Sequence, residues 1–114
     1  MITIPDIAHF GGVQYSVLLS EEPLLHPWED GVYLNGACLP SKKAIIVYND
    51  PNCPTGVEET LLHEVIEGIL DTYDIEMSHQ TIKTVGVALH QFLAMSKIDW
   101  SQSAVHGMVN TTTH

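Results

Sequence analysis

Arginine is absent from this 114-residue sequence, and only Lys42, Lys43, Lys83 and Lys97 offset fourteen carboxylates, leaving a formal net charge of −10. That balance repels a phosphate backbone and predicts no direct contact with nucleic acid. The same charge suits a cationic protein partner, or a protein that presents DNA-like charge to a basic groove. Cysteine is scarce as well: Cys38 and Cys53 are too few for a disulfide scaffold or a Cys-rich zinc module, and free thiols are expected. Although 45% of the residues are hydrophobic, no apolar run approaches the roughly 20 residues of a bilayer span, which predicts no membrane segment. The opening Met1-Ile2-Thr3-Ile4-Pro5-Asp6 lacks the basic start and apolar stretch of a secretory signal, so the expected place of action is the cytoplasm. With no repeat, low-complexity stretch or linker, residues 1–114 read as a single domain whose polar, aperiodic residues 101–114 form a mobile tail.

Strands are expected in the first half. Val13-Gln14-Tyr15-Ser16-Val17 alternates, and Gly11-Gly12 can turn it back on Ile7-Ala8-His9-Phe10. A run over residues 32–39 and the β-branched Ala44-Ile45-Ile46-Val47-Tyr48 read as a hairpin across Pro40-Ser41-Lys42-Lys43, the second arm buried on both faces. Residues 57–73 carry Leu61, Leu62, Val65, Ile66, Ile69 and Leu70 at helical spacing, with Thr55 or Gly56 as cap and Glu58-Glu59 in the first turn. After the linker Asp74-Ile75-Glu76-Met77, Ser78 caps a second amphipathic helix with Ile82, Val85, Leu89, Phe92 and Leu93 on its apolar face, reaching about residue 97. The expected fold is α+β: a small twisted, largely antiparallel sheet of three or four strands packed with two helices.

The chemistry concentrates in Leu61-Leu62-His63-Glu64-Val65-Ile66-Glu67. Residues four apart on a helix project side by side, so His63 and Glu67 can close on one ion. Glu64, rotated by roughly 100°, is placed to act as a base on a water beside that ion. The usual pattern is His-Glu-x-x-His, and here Glu67 replaces the second histidine. His79, at the first turn of the second helix and on the border of its apolar stripe, can return the missing imidazole. His63, Glu67 and His79 then total the two imidazoles and one carboxylate of an established catalytic zinc set. Asp71, one turn beyond Glu67, could orient a ligand imidazole.

The order of short strands, then Glu59-Thr60-Leu61-Leu62-His63-Glu64-Val65-Ile66-Glu67, then Leu89-His90-Gln91-Phe92-Leu93, resembles the small zincin-like metallopeptidases of bacteriophages and prophages over roughly residues 10 to 95. The resemblance implies a zinc-bound hydrolase fold with the first helix packed on a small sheet, and a host-cytoplasmic place of action if the chain is phage-encoded. The chain departs from the family's common pattern at Glu67. The expected function is therefore zinc-dependent hydrolysis of a peptide or protein substrate, with Glu64 as general base. The alternative is a catalytically inactive, acidic binding or inhibitory protein on the same scaffold, directed at a host factor. A third reading makes the motif accidental: solvated glutamates around one core histidine.

Of the remaining candidates, His90 lies about 16 Å along the helix from His79, too far to share an ion, and reads as a helix-face histidine. His26 beside Pro27-Trp28 either lines a cleft or fills a loop, with the loop favoured. His9 falls in the strand half, and His106 and His114 in the tail. Tyr73 either donates to an oxyanion or borders the core, and Trp28 and Trp100 are expected to be packing residues.

Overall fold

A computed structural model of the chain describes residues 4–96. The expected tail, with Trp100, His106 and His114, lies outside the described residues. Six strands and two helices follow in order: β1 (Ile7–Phe10), β2 (Val13–Ser20), β3 (Leu24–Leu25), β4 (Tyr33–Leu34), β5 (Gly36–Leu39), β6 (Ala44–Tyr48), α1 (Pro54–Thr72) and α2 (His79–Met95). The main sheet runs β1-β2-β6-β5, and β3 and β4 form a separate pair. β1–β2 and β5–β6 are antiparallel and β2–β6 is parallel, so the α+β expectation of a largely antiparallel four-stranded sheet with two helices describes the molecule.

The β1–β2 turn is the Gly11-Gly12 pair, both at positive φ (57° and 73°), as a two-residue hairpin requires. The turn tucks under the end of α1: a Cβ on Gly11 would stand 2.8 Å from Thr72 Cγ2. The run over residues 32–39 is not one strand, as expected from its composition, but breaks at Asn35. Tyr33–Leu34 pairs with Leu24–Leu25, and only Gly36–Leu39 joins β6.

One face of the sheet carries the core. Tyr15 and Val17 of β2 and Ile45 and Val47 of β6 meet Val57 and Leu61 of α1, with Phe10, Cys38 and Val65 packed around them. Ile46, which alternation turns to the opposite face, is only half-buried, so β6 is fully covered on one side alone. α1 starts earlier than its expected cap: Pro54 occupies the first turn after Cys53, and neither Thr55 nor Gly56 is the N-cap. Proline is preorganised for that position, where its missing N–H has no helical partner in any case. Ser78 does cap α2, its hydroxyl accepting from the Thr81 N–H at 3.2 Å.

The buried face of α2 differs from the expected one. Ile82, Gly86 and His90 point inward, whereas Val85, Leu89 and Phe92 are exposed. Two contacts lie on this face. Gly86 packs against α1, where a Cβ would make an ordinary contact, 3.7 Å from the His63 backbone nitrogen. His90, four residues on, is drawn in by the buried Glu58 carboxylate at 2.9 Å.

Candidate metal site

α1 lies on the sheet through its Val57–Leu61 stripe, which turns the His63–Glu67 edge toward the strand β5 on one side and α2 on the other. Glu64, one residue on, faces β5 at the base of that edge. With Gly86 packed against His63, the first turn of α2 overhangs the same edge. The His63 and His79 rings lie 4.9 Å apart at 60°, and His63 Nε2 stands 3.8 Å from Glu67 Oε1. One donor atom from each of His63, Glu67 and His79 falls within 4.8 Å of the others, so these three groups can hold a metal ion. The fit to zinc is close. Ligand atoms about 2.0–2.1 Å from a tetrahedral ion lie roughly 3.4 Å apart, so side-chain movements of about 1 Å bring the trio to zinc distances.

The group opens into a cleft of about 620 Å³ walled by β5, α1 and α2. Glu64 lies in this cleft at only 6% exposure. Burial, then the Glu67 charge and a hydrogen bond with the Glu67 carboxyl, push its pKa up to about 8. Desolvation lowers that of His63, helped by His79 and Lys83 and opposed by Glu67. The result is a neutral imidazole at neutral pH, the form that ligates metal. Gly36 is what lets β5 come this near: a Cβ there would be 2.6 Å from Thr60 Cγ2 and 3.2 Å from Glu64 Oε2. Cys38 also lines the cleft, but burial, followed by the charges of Glu64, Glu67 and Asp71, pushes its thiol up to about 12, so it stays protonated and a poor ligand.

Other expected candidates fall elsewhere. Asp71 and Tyr73 are exposed and do not line the cleft; the Tyr73 hydroxyl sits beside Gly11, at the β1–β2 turn. His9 is exposed on the strand half. His26 fills a loop, its Nδ1 accepting the N–H groups of Trp28 and Glu29 at 3.1 Å. Trp28 is not a packing residue: it is 86% exposed and touches the His26 ring edge-on. Nor is His90 a surface residue. It is buried with Nε2 on Glu58 and Nδ1 3.6 Å from Glu59. That pair had a sequence signal in hindsight: Glu58 falls on the Leu61–Leu62–Val65 stripe, and His90 falls four residues after Gly86.

Fold and site together define an α+β domain with an open His-Glu-His group that can hold a metal ion. No family model, curated protein or solved structure matches the chain. No described helix is long and apolar enough to cross a membrane.

Proposed function

We propose that the protein is a zinc-dependent peptidase of the zincin-like type, with His63, Glu67 and His79 as ligands and Glu64 as general base. The observation that carries this reading is Glu64: a buried carboxyl at the base of an open cleft, beside three metal-binding groups, with its proton affinity raised into the neutral range. A structural zinc site is closed by four protein ligands, whereas a catalytic one keeps a position open. Among the described residues only three groups converge.

Zinc held there would supply Lewis acidity, polarising the scissile carbonyl and acidifying water. Glu64 takes the proton of the attacking water as its oxygen bonds to the carbonyl carbon. It returns a proton to the nitrogen as the C–N bond breaks, leaving a carboxylic acid and an amine. β5 supports a peptide as substrate. It is the last strand of the sheet order, it lines the cleft, and its outer edge offers backbone groups to an extended chain.

The test is metal content against turnover. Glu64→Gln should keep about one zinc per chain and lose hydrolysis by at least about 10²-fold, the usual scale of a general base, whereas His63→Ala should lose both. Unchanged turnover in Glu64→Gln removes the catalytic assignment. The binding-protein reading draws on one observation, the exposed apolar stripe Val85, Leu89, Phe92 and Met95 on α2; it is favoured if the zinc-loaded protein hydrolyses no peptide.

A further inference from the structure

Lys83 stands out in this acidic chain. Fourteen carboxylates face four lysines, yet among the described residues Lys83 is the one lysine that lines the cleft. It follows His79 by four residues on α2, so the two side chains project from one face of the helix, one turn apart. Glu64 and Glu67 occupy the facing wall, on α1. Lys83 therefore stands across the cleft from the base and next to a metal-binding imidazole. It makes no ion pair within 4.0 Å with any carboxylate among the described residues. Lys83 is solvent-exposed, so its ammonium is held at the cleft and available to an incoming anion.

The geometry points to Lys83 as the group that receives an anionic oxygen of the substrate beside the metal site, which makes it a catalytic or specificity-determining residue of the peptidase proposed above. The oxygen has two possible sources. It is either the scissile carbonyl oxygen as charge develops on it, or the terminal carboxylate of a short peptide. Glu64 works from α1, and Lys83 supplies a point charge on a flexible stem from the α2 wall of the same cleft. No proton moves to or from Lys83 in this role. Its contribution is electrostatic stabilisation of the oxygen's charge.

The assignment rests on the peptidase reading, and the experiment separates the two. The full-length zinc-loaded protein is compared with Lys83→Met and Lys83→Arg, methionine preserving helix propensity and stem volume. Zinc content is measured first and should be unchanged. Binding of a phosphinic dipeptide, a tetrahedral anion, is then followed by calorimetry. Lys83→Met should bind it about 10-fold to 100-fold more weakly, with Lys83→Arg partly restored. Hydrolysis is read on two random octapeptide pools, one C-terminally amidated and one free. A fall in kcat on both pools identifies the scissile carbonyl as the source; a rise in KM on the free pool alone identifies the terminal carboxylate. Either supports the role. Wild-type and Lys83→Met proteins equal within twofold in phosphinic affinity and on both pools overturn it, as does zinc loss in Lys83→Met. If the wild type hydrolyses neither pool, the peptidase reading fails, while phosphinic affinity still decides whether Lys83 receives an anion.

Discussion

The most informative perturbation is Glu64→Gln in the metal-free protein, because it converts one electrostatic feature into a slope. Glu64 is an acid whose folded pKa, about 8, lies above its ordinary value of 4.5. The folded state thus binds more protons than the unfolded state between those values. Its contribution to stability is complete below 4.5 and is lost as pH rises through about 8. His63 runs the other way: its lowered pKa makes the folded protein gain stability as pH rises, a gain that fades above the ordinary histidine value of 6.5. Cys38 and Tyr15, both raised, act from about pH 9 and 10 upward. From pH 6.5 to 8, Glu64 is the group among these four whose shift dominates. The excess proton falls there from nearly one to about one half, a loss of stability on the order of 1 to 2 kcal/mol. Glutamine copies the protonated carboxyl, since its amide N–H can donate to Glu67, yet it does not titrate. Urea denaturation in chelator, at half-unit steps of pH, should show wild-type stability falling across this window while Glu64→Gln stays level. Parallel curves for the two proteins would refute the buried, Glu67-coupled carboxyl on which the catalytic assignment depends.

Zinc in hundredfold excess over its dissociation constant should stabilise the wild type by about 2.7 kcal/mol, seen as a raised thermal midpoint; His79→Ala should lose that increment while retaining its fold, because His79 is exposed. Gly36→Ala should keep zinc but reduce kcat, since the new methyl must displace Thr60 and the Glu64 carboxylate; unchanged kinetics would show that β5 does not fix the base. His90→Leu deprives the buried Glu58 of its 2.9 Å partner and should lower unfolding free energy by about 3 kcal/mol, checked by urea titration. A change below about 1 kcal/mol would mean that Glu58 is carried by its other contacts.

The legible parts of this chain were those written locally. Gly11-Gly12 announced its hairpin, Ser78 its cap, and the His63–Glu67 spacing its shared face, because turn sterics, capping and helix periodicity all act within a few residues. His79 was reachable by counting ligands and by its place at the first turn of α2. What escaped was set by packing between elements. The four apolar residues Val85, Leu89, Phe92 and Leu93 outvote Gly86 and His90 on periodicity alone, although the buried hydrogen bond between His90 and Glu58 belongs to the face that turns inward. Trp28 reads as a packing residue, yet its loop is organised from within by His26, without burying the indole. Lys83 carried no motif, and only the cleft shows which wall it stands on.

Supplying the third ligand from α2 has a consequence that the usual His-Glu-x-x-His helix shares only in part. His63 and Glu67 are held in register by α1 alone, but the distance from either to His79 depends on how α2 sits across α1. That seating is fixed at two places: Gly86 against the His63 backbone, and His90 on Glu58 near the other end of the contact. From His79 to His90 is eleven residues, about 16 Å of helix, so a small pivot at the His90 end becomes a displacement of ångström size at His79. The trio needs only about 1 Å of closure to reach zinc distances, and a pivot of that size in the wrong direction doubles it. In the proposed metal site, affinity would therefore depend on helix packing, and the buried Glu58–His90 pair would act on the site by leverage, although neither residue belongs to the His63–Glu67–His79 group.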